Sequence, residues 1–439
     1  MASAGQAALG MSQAGGDILR RDITSDTNTV VGLVPLVTRA MAPGPALDSM
    51  IRNAIKVMDA SINQLEGSQG TPVKINLYEW TCREIHLATT EAVFGPKNPY
   101  RDPAVAAAWR IFEPGYLALA LSPLKPLTAP EGLRARELLT SAFVSYLENN
   151  GPETASEFIK TAHAHHVSHG FITGDLARFE VGHTHAISGS TAPSAWWLLW
   201  HVYSDPTVLR EVRAELDALV VESAPDIDSH SEGGEKRMTT KTLDLALLAT
   251  PRHAPVIHST LKEALRVRTI ATAVRLCLED HLLQGKYLLK KGALVIVPQP
   301  LHHASTSAWG DDAEQFDHRR FVRPRSTTGE KTDASKNKHA NKKWKKGYDG
   351  AAFRAFGGGH TLCPGRHFST SEILAFAAMM VLRFDLVPTK GGKWAEPTWA
   401  KTHMVASLQI PDEDVEVEIR PRDTIKTHWR FVGPGKTEE

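Results

Sequence analysis

The chain has 439 residues, of which 42% are apolar and 23% are charged, as is typical of a soluble globular protein. Its formal net charge of +1 argues against broad electrostatic binding to nucleic acids or to anionic membranes. Three cysteines occur, Cys82, Cys277 and Cys363, and none of them forms a Cys-x-x-Cys pair. This sparse, odd set excludes a disulfide framework and indicates a reducing compartment.

No apolar run approaches the roughly 18 residues that cross a bilayer as a helix. Residues 1–17 are rich in Ala, Gly, Ser and Gln, and they lack the basic region and apolar core of a signal peptide. The sequence as it stands therefore predicts a protein that is soluble or attached to a membrane only peripherally.

The first half of the chain is predicted to be helical after an irregular start. Residues 1–45 are expected to be irregular, with a Pro-rich break at residues 42–45. From Leu47 to Leu65, apolar residues recur at steps of three and four, which predicts an amphipathic helix. Similar patterns between Gly- and Pro-containing breaks predict further helices over residues 77–93, 103–121, 132–149 and 154–169.

The second half changes from helices to short strands. The longest helical pattern covers residues 173–203, and Ser204-Asp205-Pro206 then caps another helix, predicted over residues 207–221. An acidic surface loop is expected over 222–236, and further helices over 255–267 and 368–383. Strands are predicted over residues 273–278, 287–289, 294–297 and 404–419. Because the helices come first and a small sheet comes late, the predicted fold class is mainly α with a small β subdomain.

The most distinctive motif is the loop Phe356-Gly-Gly-Gly-His-Thr-Leu-Cys363-Pro-Gly365-Arg366. Three successive glycines allow positive φ angles and a close approach of the backbone to a flat ligand. Cys363 stands just before a predicted helix, whose N-terminal dipole favours a thiolate. The alternative is a buried cysteine in a glycine-rich turn, which is the usual case for a lone cysteine.

The loop resembles the haem-binding signature of the cytochrome P450 family. The positions fixed in that signature correspond to Phe356, Gly359, Cys363 and Gly365. The resemblance implies that haem b is bound with the Cys363 thiolate as the ligand of its iron. Many family members have a basic residue two positions before the cysteine, whereas this chain has Thr361, and the adjacent His360 could bind the haem propionate instead.

Two further motifs agree with this resemblance. Glu263 and Arg266 lie three residues apart among apolar neighbours, so a buried ion pair is plausible. The family has this pair and completes it with an arginine from a later loop, here Arg320, and we interpret the three residues as structural. Arg275 occupies the place of a propionate-binding arginine on a predicted strand, where the alternative is a side chain that faces solvent.

The segment Gly189-Ser190-Thr191-Ala-Pro193 interrupts the longest helical pattern. Pro193 has no N–H to donate to the carbonyl of Gly189 and its ring crowds that carbonyl, so we expect a kink, with or without a role in chemistry. The family's acid and alcohol, which deliver protons to oxygen, align with Gly189 and Ser190, so the acid is missing. The residues expected to act there are Gly189, Ser190 and Thr191. This form resembles the branch of the family that contains sterol 7-hydroxylases and prostacyclin synthase. An electron-independent isomerase is therefore an alternative function.

The resemblance covers about residues 45–425. It divides the chain into an irregular segment (1–45), a fungal-type P450 catalytic domain (46–425) and a tail (426–439). The membrane anchor and the first sheet strands of the family are not recognisable. If an anchor exists in a longer protein, the expected location is the endoplasmic reticulum membrane.

The expected function is insertion of one atom of O₂ into an apolar small molecule, such as a sterol, a lipid or a secondary metabolite. Electrons would come from NADPH through a separate reductase. The alternatives are an electron-independent haem isomerase or dehydratase and a non-catalytic haem-binding fragment. The Lys-rich residues 336–346 form either a reductase-docking surface or a solvated insertion. The predicted substrate pocket combines residues 103–169, 267–272 and 405–410.

Overall fold

The computed structural model describes residues 2–21, 28–66, 72–122, 124–223, 239–322, 350–402, 406–423 and 427–435. The Lys-rich residues 336–346 and Val405 of the predicted pocket lie outside these ranges. The α-helices within them are α1 (Ala2–Leu9), α2 (Gln13–Arg20), α3 (Thr29–Ala40), α4 (Pro45–Ile62), α5 (Leu77–Phe94), α6 (Pro103–Leu121), α7 (Lys125–Thr128), α8 (Pro130–Glu148), α9 (Glu157–Ser168), α10 (Thr173–Ser188), α11 (Thr191–Ser204), α12 (Pro206–Asp217), α13 (Pro255–Arg268), α14 (Gln299–His303), α15 (Thr306–Trp309) and α16 (Arg366–Arg383).

Short strands form small, separate sheets. The strands are β1 (Val73–Asn76), β2 (Val221–Ser223), β3 (Thr239–Asp244), β4 (Thr272–Leu276), β5 (His281–Leu283), β6 (Tyr287–Leu289), β7 (Leu294–Pro298), β8 (Phe384–Pro388), β9 (Glu416–Pro421) and β10 (Thr427–Val432). The sheet orders are β1-β9-β8, β10-β3-β2, β4-β7 and β5-β6, and every pairing is antiparallel except that of β10 with β3. The predicted fold class, mainly α with a small β part, is confirmed.

The core is built around α11 and α16. All residues of α11 from Thr191 to Tyr203 are buried, including Trp196 and Trp197, and α16 is buried from Glu372 to its end. Such helices are apolar around their whole circumference because they are enclosed on all sides. α4, α5 and α13 pack around them. The core thus fixes the start of α11 and the start of α16, where the two most distinctive sequence motifs lie.

Two predictions for the chain ends were wrong. Residues 1–45 were expected to be irregular, but they contain α1, α2 and α3, and Val37 and Met41 belong to the main core. The segment from residue 426 was expected to be a tail, but β10 pairs with β3 along its whole length. Tertiary contacts stabilise both regions. The pairing with β3 holds β10, and in the N-terminal region Ser12 Oγ and N donate to Asp175, and Arg178 donates to the carbonyl of Leu9. Local propensity alone does not reveal such contacts.

The helix predicted over residues 173–203 is interrupted. α10 ends at Ser188 and α11 begins at Thr191, so the break falls at Gly189 and Ser190, where Pro193 was expected to produce a kink. In the described ranges no single helix is long and apolar enough to cross a membrane. The helix pair Thr29–Ala40 and Pro45–Glu66 is bent by 77° at its break. Together the two helices are long and apolar enough for a membrane span, by length and composition alone.

Candidate active site

The loop before α16 is closed by its own backbone. The N–H of Cys363 donates to the carbonyl of Phe356 over 2.9 Å, which brings the two ends of the motif together. Gly357 and Gly359 have φ angles of 75° and 64°, in the left-handed region that favours glycine. A β carbon added at Gly359 would meet no atom within 4 Å, so the loop is open over this residue. The backbone is therefore open at Gly359, whereas the guanidinium of Arg354 covers Gly358.

Cys363 lies where a thiolate can be stabilised. Burial raises the pKa of its thiol, whereas the backbone N–H groups of Gly365 and Arg366 and the charge of Arg366 act to lower it. The loss of hydration is therefore the main obstacle to the anion, and a bound cation would offset it. Sequence reasoning missed Met41, whose methyl carbon would lie 3.5 Å from a β carbon added at Gly365, beside the Cys363 sulfur.

Arg275 meets the loop from Phe356 to Arg366, called the thiolate loop below, at the protein surface. Arg275 extends from β4, and its Nη2 donates to Thr361 Oγ1. Both residues are exposed, as is His360 in the short helical turn Gly359–Thr361. The structure thus brings together the three positions that were expected to surround a propionate. Their role in binding that group stays a prediction.

Glu263, Arg266 and Arg320 form one buried network. Arg266 donates to both oxygens of Glu263 over 2.7 and 2.8 Å, and Arg320 Nε donates to Glu263 Oε1 over 2.9 Å. The remaining N–H groups of Arg266 donate to the carbonyls of His303, Ala313 and Gln315. Every N–H of the Arg266 guanidinium therefore has an acceptor, which a buried arginine requires.

The network is connected to the thiolate loop through His303. Its Nδ1 bonds the carbonyl of Arg266 over 2.9 Å, and its Nε2 accepts from the N–H of Arg354 over 2.9 Å. Arg354 immediately precedes the loop that carries Cys363. Because each contact is a hydrogen bond between largely buried groups, a change at Glu263 or Arg266 can be transmitted to the loop.

At the break between α10 and α11, the hydroxyl groups have different partners. Thr191 Oγ1 donates to the carbonyl of Ile187 over 2.8 Å, so it is used within the helix. Ser188 Oγ donates to the carbonyl of Thr184 and also lies 3.2 Å from His86 Nδ1. The carbonyl of Ser190 accepts from Ser194 Oγ over 2.7 Å. Whether Gly189, Ser190 and Thr191 act on oxygen stays a prediction.

A cavity of about 1040 Å³ opens beside this break. Its lining comes from α4, α5 and α6, from Ile410, and from Ser188, Gly189, Ala192 and Pro193 at the break. Two of the expected pocket regions, α6 and the turn at Ile410, therefore contribute, whereas residues 267–272 do not line it. Sequence reasoning missed Glu113 of α6, whose carboxylate lies against Gly189. In the sequence this residue is only one polar position of an amphipathic helix.

Comparisons with known proteins agree with the geometry of the loop. The family model described as cytochrome P450 matches residues 188–411. A cytochrome P450 monooxygenase, nodJ of Hypoxylon pulicicidum, is 31% identical over 389 residues, which are 88% of this chain and 71% of that protein. The chain belongs to the cytochrome P450 family. Members of this family are haem-dependent oxidoreductases that incorporate oxygen, and the predicted membership is confirmed.

Other P450 proteins match over different extents. A human 7-alpha-hydroxycholest-4-en-3-one 12-alpha-hydroxylase is 29% identical over 210 residues, 46% of this chain and 36% of the relative. The structure titled retinoic acid bound cyanobacterial CYP120A1 has a TM-score of 0.62 at 18% identity and covers 88% of this chain and 78% of that one. This structural likeness shows the P450 fold and nothing about the substrate.

The described residues fit a haem group. The open backbone at Gly359 can lie against a planar ring, the backbone N–H groups of Gly365 and Arg366 act to lower the pKa of the Cys363 thiol, and Arg275 supplies a cation beside Thr361 of the same loop. These are the donor types that a P450 haem requires: a thiolate for the iron and cationic or hydroxyl groups for the propionates.

Proposed function

We propose that this P450 is a haem-thiolate monooxygenase that inserts one atom of O₂ into an apolar small molecule. The observation that carries the proposal is the position of Cys363, between a glycine-rich backbone and the first N–H groups of α16. The thiol pKa is raised by burial alone, so a nearby cation would restore the thiolate.

Haem b would be held by the thiolate loop and the adjacent strand. Cys363 is the proposed ligand of the iron, and Phe356, Gly359 and Gly365 shape the loop around the ring. Arg275 and His360 are the proposed partners of the propionates. When bound, the haem supplies the oxygen chemistry, and a thiolate ligand donates electron density that favours cleavage of the O–O bond.

The substrate is proposed to be a sterol, a lipid or a secondary metabolite. Apolar side chains, including Val57, Leu87, Trp109 and Ile410, line the cavity beside the break between α10 and α11. Such a lining favours an apolar ligand held by few polar contacts. The human relative, a 7-alpha-hydroxycholest-4-en-3-one 12-alpha-hydroxylase, supports the same class of substrate.

Electrons are proposed to come from NADPH through a separate reductase. Each insertion of one oxygen atom consumes two electrons and two protons and releases water. Ser190, Thr191 and ordered water are proposed to move the protons at the break between α10 and α11.

The ligand assignment is tested by Cys363→Ala, with Cys277→Ala as the control at another partly exposed free cysteine. The reduced wild-type protein with carbon monoxide should show the red-shifted Soret band of thiolate ligation. We expect the band to be absent in Cys363→Ala and unchanged in Cys277→Ala. Persistence of the band in Cys363→Ala would overturn the assignment.

The reaction class is tested with the wild-type protein alone. Product should form from candidate apolar substrates only when NADPH, reductase and O₂ are all present. Product without reductase and NADPH would instead identify an electron-independent isomerase or dehydratase.

A further inference from the structure

The break between α10 and α11 carries no acidic side chain of its own, yet a carboxyl group lies against it. Glu113 belongs to α6, and a β carbon added at Gly189 would lie 3.0 Å from Glu113 Oε1. The same β carbon would lie 2.9 Å from the carbonyl oxygen of His185, so that carbonyl and the Glu113 carboxyl group together crowd the space that a side chain at residue 189 would need. Glycine at 189 and glutamate at 113 are therefore one structural feature.

Aromatic contacts on both sides direct Glu113 towards the break. Trp109 stacks on His86 of α5 with ring centroids 5.4 Å apart, and Tyr116 stacks on His185 of α10 with centroids 4.8 Å apart. Residues 109, 113 and 116 follow the helical repeat and share one face of α6. Since the outer two are fixed against neighbouring helices, Glu113 between them is held towards α10 and α11.

The Glu113 carboxyl group can exchange protons with water. It lines the cavity of about 1040 Å³ together with Ser188 and Gly189. Within the described ranges no lysine or arginine forms an ion pair with it and no hydrogen bond fixes it. Burial raises the pKa of Glu113 to about 7, so both protonation states are populated near neutral pH.

Three neighbours of Glu113 on α5 are uncharged near neutral pH. Burial raises the pKa of Tyr78 and raises that of Cys82 to about 12, so both are uncharged. Burial, and then the charge of Arg110, lowers the pKa of His86 to about 3, so this imidazole is also neutral. The titratable and charged groups around the carboxyl group are Tyr78, Cys82 and His86 on α5, Tyr100 before α6, Arg110 and Tyr116 on α6, and His185 on α10.

We propose that Glu113 is the proton-carrying carboxyl group of this active site, supplied from α6 to the break at Gly189. The inference rests on the proposed monooxygenase function, because insertion of one oxygen atom consumes protons. The protonated carboxyl group donates to water or to a hydroxyl group at the break, and it is protonated again by water from the cavity. The residue itself undergoes no net change.

The first test does not depend on turnover. The infrared band of a protonated carboxyl group, titrated through neutral pH, should lose one component with an apparent pKa near 7 in Glu113→Gln. The same component should persist in Glu131→Gln, which changes an exposed carboxylate on α8. If wild type and Glu113→Gln titrate identically, Glu113 does not exchange a proton in this range and the inference is overturned.

The second test moves the carboxyl group. With reductase and NADPH, Glu113→Ala should form roughly a hundredfold less product per NADPH, which is the usual contribution of a positioned acid. The electrons that do not reach the product should appear as peroxide. Glu113→Ala/Gly189→Asp frees the crowded space and places an acid on the break itself, so it should recover much of the coupling. Glu113→Asp should retain part of it.

The controls separate the possible failures. Haem content and melting temperature of each variant show whether it folds, and Glu113→Gln keeps the shape of the side chain. Full coupling in folded Glu113→Gln, or no recovery in Glu113→Ala/Gly189→Asp, would overturn the role of Glu113 alone. Failure of the monooxygenase function would instead be visible in wild type, as turnover that needs no reductase.

Discussion

Removal of the Glu263 carboxylate should destabilise the protein severely, because this group is the common acceptor of a buried network. Glu263 is 0% exposed and Arg266 is 2% exposed. The carboxylate accepts hydrogen bonds from Arg266 Nε and Nη2, from Arg320 Nε and from the N–H of Asp317. Glu263→Ala leaves all four donors without this acceptor and leaves the charge of Arg266 buried and unpaired.

The loss of folding free energy expected for Glu263→Ala is large relative to the total stability of the protein. Removal of one partner of a buried ion pair costs about 3–5 kcal/mol. A domain is typically stable by only about 5–15 kcal/mol, so the variant should fold poorly at 37 °C. Because His303 connects Arg266 to Arg354 next to the thiolate loop, haem incorporation should fall together with stability. Glu263→Gln, which keeps the shape but not the charge, should have an intermediate effect.

The assay is denaturant unfolding of the haem-loaded protein, together with haem absorbance per protein. Glu211→Ala is the matched control, because Glu211 bonds His318 and Arg319 on the same loop but its side chain is 23% exposed. We expect that control to cost less than about 1 kcal/mol. Equal losses in Glu263→Ala and Glu211→Ala, or full haem content in Glu263→Ala at an unchanged melting temperature, would refute the reasoning.

Three further outcomes are expected. Arg275→Ala should lose haem to apomyoglobin roughly tenfold to a hundredfold faster than wild type, since a charge-assisted hydrogen bond contributes about 1.5–3 kcal/mol. The control Lys290→Ala should lose haem at the wild-type rate. Ser190→Ala should raise the peroxide formed per NADPH by roughly threefold to tenfold, because water can replace a hydroxyl group; tightly coupled turnover would exclude this relay. Burial raises the pKa of Glu372 to about 8, so its contribution to stability is complete below the unfolded pKa and is lost as pH rises through 8. Glu372→Gln should therefore remove roughly 4 kcal/mol of that pH dependence in unfolding experiments, and an unchanged slope would contradict the assignment.

Sequence patterns predicted well those parts of the fold that are determined locally. Helices such as α4 and α12 follow the apolar periodicity because each presents one apolar face to the core. The network of Glu263, Arg266 and Arg320 was predictable as well, since three carbonyls and one carboxylate are the partners that a buried arginine needs. Residue type and spacing were sufficient for Glu263 and Arg266, whereas Arg320 was assigned through the resemblance to the P450 family.

The N-terminal helices could not be predicted in this way. α1 and α2 consist mainly of small and polar residues, and two glycines of α2 are buried. Their positions depend on partners that are distant in the sequence, such as Asp175 for Ser12 and Arg178 for the carbonyl of Leu9. Helix propensity is a weak prior that such contacts override. Met41, beside the thiolate loop, escaped notice for the same reason.

The active-site carboxyl group shows the same limit at a single pair of residues. Along the sequence, Gly189 was read as the loss of an acid from the break between α10 and α11. In the folded protein, the Glu113 carboxyl group lies against Gly189, where it and the carbonyl of His185 would crowd an added β carbon. The departure from the family pattern is therefore better explained as a change in the helix that supplies the carboxyl group than as its removal. That explanation requires the packing of α6 against α5 and α10, which two aromatic stacks determine and which no local pattern encodes.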